Sequence, residues 1–477
     1  MNKIKFACGV LIVCLFCSSS FAERRDTRAS IGSDEGALGV VDDIGRDPGN
    51  PLFLDFGKCI DVALKNNRHR KISEYSIEIA ELQHKQALSS YWPHFLLNAS
   101  VSRFDEDPNF VFAGSGFNDL KVKLMDREMR SSSLDLTYPL YTGGLRKAIS
   151  QQAEIGVRLS KEDMRRTELQ IVYDVKRMYY SVILTQKLEV LGKDILSHFE
   201  ALLTVTEMFF TSGSLSVNKC DYLRIKTITE SLKALVASLE SNVELSKAGL
   251  LNTIGMAYDT AIVIEERELP YLPFKADLSQ LVSKAYVFNP DWRKMNAGLE
   301  ALELMITEKK SGRLPKLVLA GKLFTFDSSF DAGLMSETNA DGYTVGLYMQ
   351  MPVFQGFLTQ SQIREARLAL KRAESQKILL KEGIAVQIKH AFIHLNRYMK
   401  EIQSVKEAAS SAEENRALSL KAYENQIVEL KSVTEALILE AFVKMQYLNA
   451  LYHHIEAQAN LEFVIGQEIN QMLGTES

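Results

Sequence analysis

His390 and His394 stand four residues apart within a long helical pattern, the spacing by which one helix face presents two imidazoles to a metal ion. No acidic residue completes a HExxH pattern around them, so surface or interface histidines are the expected reading. His453 and His454 are adjacent, and on a helix they point in different directions. Gly114-Ser115-Gly116 lacks the spacing of a nucleophile elbow, and neither a Walker phosphate loop nor a dinucleotide fingerprint occurs. Cys59 and Cys220 lie far apart without the spacing of a metal site or of a disulfide framework. These residues predict a protein that is not an enzyme, with no catalytic, cofactor-binding or metal site, whose energy comes from a partner.

The composition bounds what such a protein can be. The 477 residues are 46% hydrophobic and 24% charged with only 10 Pro and 26 Gly, which is globular and excludes collagen-like or wholly disordered chains. A net charge of -4, from 56 basic and 60 acidic residues, offers no broad basic surface, so nucleic acid is not an expected partner. Beyond the N-terminus no apolar run reaches the roughly 18 residues of a membrane helix, whereas a membrane β-barrel, whose apolar residues alternate, stays open.

Lys3 and Lys5 precede an apolar run from Phe6 to Cys17, and Ser20-Phe21-Ala22 supplies small residues where a signal peptidase cuts. Residues 1–22 are therefore expected to be a secretory signal peptide, which removes Cys8, Cys14 and Cys17. Residues 23–52, rich in Gly and Asp, are expected to be a poorly ordered leader.

The elements that would carry any function occur twice. Lys65-Asn66-Asn67 aligns with Val287-Phe288-Asn289, Tyr91-Trp92-Pro93-His94 with Arg313-Leu314-Pro315-Lys316, and Tyr138-Pro139-Leu140-Tyr141-Thr142-Gly143-Gly144 with Met351-Pro352-Val353-Phe354-Gln355-Gly356-Phe357. Three matches in one order indicate an internal duplication: a first repeat over 53–260, a linker over 261–275 and a second repeat over 276–477. Pro93 and Pro315 stand where a helical pattern gives way to a strand pattern, because proline lacks an N–H and restricts the residue before it. Pro139 and Pro352 are expected to mark the reverse change.

Tyr343, Val345, Leu347, Met349, Met351 and Val353 alternate with mostly polar neighbours, as do Leu134, Leu136, Tyr138 and Leu140. Leu97, Ala99 and Val101, with Leu317, Leu319 and Leu323, give two weaker strands. Four strands of about ten residues suit a tilted membrane strand but are too few to close a barrel, so oligomerisation must supply the rest. From Gln362 to Ala412 apolar residues recur in steps of three and four with one gap, at Lys377, and a counterpart runs from Gly144 to Phe210. Each predicts a helix of about 65 residues, roughly 100 Å long, beside stacked helices of about 35 to 45 residues before the first strand and after the turn.

The duplicated plan, the two strand-to-helix junctions at Pro139, Gly143 and Gly144 and at Pro352 and Gly356, and the segment from Gln362 to Ala373 resemble the TolC-type outer-membrane efflux family over nearly the whole mature chain. The resemblance implies a mainly α protein with a membrane β-barrel: a homotrimer in the outer membrane, twelve strands forming one barrel and a helical tunnel crossing the periplasm. It implies export of small molecules or secreted polypeptides with a periplasmic adaptor and an inner-membrane pump of RND or ABC type, in contact with outer-membrane lipid. A structural periplasmic coiled-coil protein without channel activity is the alternative. In the family a Tyr-x-x-Gly turn marks the periplasmic tip. Here the turns read Tyr423-Glu424-Asn425-Gln426 and Phe210-Thr211-Ser212-Gly213, which makes Tyr423, Glu429, Lys431, Ser432, Glu435, Phe210 and Asp221 the candidate tip and gate residues. Ser432 and Glu435 occupy places where family members often carry aspartates.

Overall fold

The computed structural model describes residues 52–468 apart from 107, 113–119, 124–126, 213–216, 274, 329–339 and 426. The expected signal peptide, most of the leader, Gly114-Ser115-Gly116, Gly213 and Gln426 lie outside the described residues.

The duplication is exact in helix length. In the first repeat, α1 (Phe56–Asn66, 11 residues) and α2 (Arg68–Ser89, 22 residues) lead to β2 (His94–Arg103), preceded by the short β1 (Leu52–Leu54). A small hairpin, β3 (Asn109–Phe112) and β4 (Leu120–Lys123), precedes β5 (Glu128–Tyr141), α3 (Leu145–Thr211, 67 residues) and α4 (Lys219–Ile254, 36 residues). After β6 (Ile262–Ile264) the second repeat gives α5 (Leu278–Phe288, 11 residues), α6 (Pro290–Ser311, 22), β7 (Lys316–Ser328), β8 (Ala340–Gln350), α7 (Leu358–Glu424, 67) and α8 (Leu430–Ile465, 36). β1, at the edge of the expected leader, pairs in parallel with β6, inside the expected linker.

The expectation of one continuous helix before each first strand needs correction, because Asn67 and Asn289 break it. Each adopts an extended backbone, accepts a backbone N–H at the start of the following helix, and donates its side-chain amide to the far end of the same repeat: Asn67 to the Thr253 carbonyl at 2.9 Å, Asn289 to the Val464 carbonyl at 2.7 Å. One side chain thus caps a helix and ties it to the end of another. Those ends turn at Gly255 and Gly466, both left-handed, and a Cβ on Gly466 would sit 2.6 Å from the Phe288 carbonyl oxygen.

Four strands form one antiparallel sheet in the order β2-β5-β7-β8, joining the two repeats at β5 and β7. Pro93 and Pro315 directly precede β2 and β7 as expected. Pro139 does not end its strand. It lies within β5, opposite Val318, and the pairing register slips between Pro139 and Tyr141, an irregularity that accommodates a residue without an N–H. β8 ends at Gln350, so Met351 and Val353 continue its sequence alternation but not its pairing.

Each 67-residue helix packs along the shorter helices of its own repeat, and α3 also lies against α6 and α8. Leu54, Cys59, Val175, Tyr179, Ile183, Leu250 and Ile254 centre one core where α1, α3 and α4 meet, while Leu281, Ala285, Ile388, Leu395, Leu461 and Ile465 centre its counterpart in the second repeat. The gap at Lys377 has a role of its own, since its ammonium lies 5.2 Å from the Trp292 ring centroid. Among the described residues no helix is long and apolar enough to cross a membrane.

Candidate functional site

Three regions carry the candidate residues: the sheet faces, the strand-to-helix junctions and the helical turns. On the sheet, register converts alternation in single strands into continuous faces. Leu97, Leu134, Leu323 and Tyr343 form one row across all four strands, Phe95, Leu136, Gly321 and Val345 the next, and Tyr138, Leu319 and Leu347 another. Tyr343, Val345 and Met349 are each more than 70% exposed in the single chain, an unusual position for so contiguous an apolar surface. The opposite face places Leu96, Asp135, Lys322 and Thr344 in one row and Asn98, Ser133, Phe324 and Gly342 in the next. There the Asn98 amide donates to Asp135 at 2.6 Å, and Lys322 approaches Asp135 at 3.7 Å.

At the first junction, Gly143 and Gly144 are both left-handed, and their counterparts Gly356 and Phe357 adopt the same two conformations. Gly143 is required twice over, because a Cβ there would meet Leu314 Cβ at 2.8 Å. Arg146 holds the bend by donating to the Leu140 carbonyl at 3.0 Å while lying 4.8 Å from the Tyr91 ring centroid. Trp92, Phe354 and Phe357 are exposed around the two junctions.

At the turns, Asn218 and Asp221 form a capping box for α4, and Arg224 lies 3.6 Å from Asp221. Phe210 stacks on Tyr222 with ring centroids 5.4 Å apart. Tyr423 packs on the cluster of Phe199, Ile225, Leu430 and Val433 that joins the two hairpins. Burial first, then the Asp221 carboxylate, push its phenol above the ordinary value. Glu429 is the N-cap of α8 without a side-chain cap bond, and its carbonyl accepts the Ser432 N–H at 3.0 Å. Lys431 lies 3.7 Å from Glu435 one turn along the same helix, both exposed. The structure thus brings Tyr423 toward Asp221, and within one chain it pairs Lys431 with Glu435.

Sequence reasoning missed a buried charge cluster above these turns, in which Glu440 lies 2.6 Å from Arg416 and 2.8 Å from Lys444. Its signal was available only through the duplication, because the matching places of the first repeat hold Leu203 and Thr229. Cys59 is buried, its thiol pushed up to about 12 by desolvation, and Cys220 is exposed; both are free.

Among the described residues, two long helical hairpins join a four-stranded antiparallel sheet open at both edges. Residues 281–467 match the model of the outer membrane efflux protein family. The chain is 24% identical over 169 residues to outer membrane protein TolC of Salmonella enteritidis and 23% identical to that of Escherichia coli (strain K12). Each match covers 34% of this chain and about one third of the relative's length. Among solved structures, a membrane protein from Pseudomonas aeruginosa superimposes with a TM-score of 0.73 at 16% identity, covering 87% of this chain and 90% of that one. VceC of Vibrio cholerae gives 0.71 at 15%, covering 87% and 96%. The open state of the Neisseria gonorrhoeae MtrE outer membrane channel gives 0.69 at 17%, covering 86% and 89%. The resemblance read from the sequence thus holds, and the outer-membrane location it implied agrees with these relatives.

Proposed function

We propose that this chain is one protomer of a homotrimeric channel-tunnel that carries small molecules or secreted polypeptides across the periplasm and outer membrane, working with a periplasmic adaptor and an inner-membrane pump of RND or ABC type. The observation that carries this reading is the sheet: apolar rows run across all four strands on one face, the other face carries the Asn98, Asp135 and Lys322 polar cluster among mixed rows, and among the described residues β2 and β8 are left as open edges. Four strands cannot close, whereas pairing β8 of one copy with β2 of the next yields twelve strands, a closed wall with lipid outside and water inside. The helices offer the same opportunity, because among the described residues α7 does not pack along α2 or α4 of its own chain, leaving complementary edges for a neighbour. Exposed Trp92, Phe354 and Phe357 suit the aromatic girdle at a membrane interface.

The tip residues follow from the same assembly. Three copies of the turns would bring Glu435 and Glu429 toward a common axis, where like charges attract cations, while Asp221, Lys431 and Ser432, beside the packed Tyr423 and Phe210, would hold neighbouring hairpins together through weak contacts that adaptor docking can overcome.

Extraction of the mature chain from outer membranes, followed by light-scattering sizing and planar-bilayer recording, tests the reading. A trimer that conducts ions, with weaker cation preference in Glu435→Gln, is the expected result. A soluble monomer without conductance would overturn it in favour of a periplasmic coiled-coil protein.

A further inference from the structure

Of the eight histidines, His390 and His394 alone share a helix face one turn apart, and their Nε2 atoms approach to 3.1 Å on the exposed side of α7. The ring centroids are 4.3 Å apart and the rings inclined at 51°, and the contact is a hydrogen bond in which one Nε2–H donates to the other Nε2, so a metal ion would take the place of the shared proton. The duplicated fold supplies an internal comparison. The matching positions of the equally long α3 are Arg177 and Ser181, while the flanking core positions keep their character, Ile388 against Val175 and Leu395 against Val182, all buried. Helix packing therefore does not require imidazoles at these two places.

We infer that His390 and His394 form a two-nitrogen chelate for a divalent transition-metal ion of the nitrogen-preferring class, Zn²⁺, Ni²⁺ or Cu²⁺. The geometry carries the assignment. Such an ion sits about 2.0–2.1 Å from an imidazole nitrogen, and two nitrogens 3.1 Å apart then subtend about 98° at a shared ion. That angle lies between the roughly 90° of a square-planar centre and the roughly 109° of a tetrahedral one, so the pair needs little rearrangement to bind. No group of three or more His, Cys, Asp or Glu side chains converges among the described residues, so water fills the remaining positions. Arg397, three residues from His394, is engaged elsewhere: it lies 4.3 Å from the Tyr398 ring centroid and 3.9 Å from Glu401. His453 lies beyond Tyr398, stacked on it at 5.5 Å and 3.3 Å from Glu456, outside the chelate. Hard cations such as Mg²⁺ and Ca²⁺ prefer oxygen ligands and find none in this pair.

The test uses the full mature chain, purified in detergent without a histidine tag and carrying Cys220→Ser to remove the exposed thiol. Calorimetric titration with ZnCl₂ should give one ion per chain, with MgCl₂ giving no heat, and CuCl₂ should produce the visible absorption of a nitrogen-ligated centre. His390→Ala and His394→Ala should each weaken Zn²⁺ binding at least tenfold and abolish that absorption, and His453→Ala should retain both. Because both residues lie on the exposed side of α7, unchanged helical circular dichroism should show that the variants fold. Zn²⁺ binding by the parent no tighter than by the His390→Ala/His394→Ala double variant, or an equal loss in His453→Ala, would overturn the assignment.

Discussion

Arg416 and Glu440 meet at 2.6 Å between α7 and α8, with Glu440 almost fully buried, while the same position between α3 and α4 is filled by Leu203 and Thr229. The contact is one of charge and proximity, since the Arg416 Nε has no aligned hydrogen bond. Lys444 adds a second cation at 2.8 Å. The two hairpins therefore share one backbone plan but close by different physics.

Removing one charge should cost more than removing the pair. Glu440→Ala strands Arg416 and Lys444 in a poorly hydrated interface and should destabilise the protein by about 3 kcal/mol, at the lower end for a broken buried pair because Lys444 is partly exposed. Copying the first repeat, Arg416→Leu with Glu440→Thr, should be nearly neutral or stabilising. Chemical unfolding followed by circular dichroism compares the two, and equal losses would show that the pair itself contributes the stability.

The bends at Asn67 and Asn289 should differ in sensitivity. Asn289→Ala removes a cap and leaves the buried Val464 carbonyl without its donor, a loss of about 2–3 kcal/mol. Asn67 is half-buried, so water can replace part of what Asn67→Ala removes, and the loss should be roughly half as large. Unfolding midpoints of the two variants in the same detergent would check the order.

Acid should weaken the second repeat through His454. This imidazole is fully buried beside Tyr271 with neither ring nitrogen hydrogen-bonded, and burial pushes it down to about 4. The unfolded chain takes up the proton near 6.5, so stability is complete above that value and falls as pH drops toward 4, by about 3 kcal/mol. His454→Leu should flatten this pH dependence and raise stability at pH 5, as seen in unfolding curves recorded from pH 4 to 8. Val243 already occupies the matching place in the first repeat.

Leu347→Arg places a charge within the apolar rows and should impair barrel assembly by about 2–4 kcal/mol if it lies at the bilayer midplane. Gln350→Arg points to the opposite face and should assemble. Outer-membrane yields of heat-stable oligomer measure both, and equal yields would reject this orientation of the sheet.

The duplication, the two very long helices, the prolines before β2 and β7 and the alternation of β8 were all legible in the chain, because each is a local pattern of period or backbone restriction repeated often enough to outweigh noise. The junction glycines were legible too, since a left-handed bend leaves few residue choices. Tertiary structure alone decided which strands share a row, that Pro139 sits within a paired strand, and that Asn67 and Asn289 break one helix to grasp the end of another. The same holds for Glu440, a solvated charge by local pattern that two cations hold in a buried interface, and for the nitrogens of His390 and His394, whose approach to hydrogen-bonding distance depends on rotamers. Periodicity specifies which face a residue occupies along its own element. Register, the partner across an interface and the direction of a side chain depend on residues tens to hundreds of positions away, and only the folded chain brings those together.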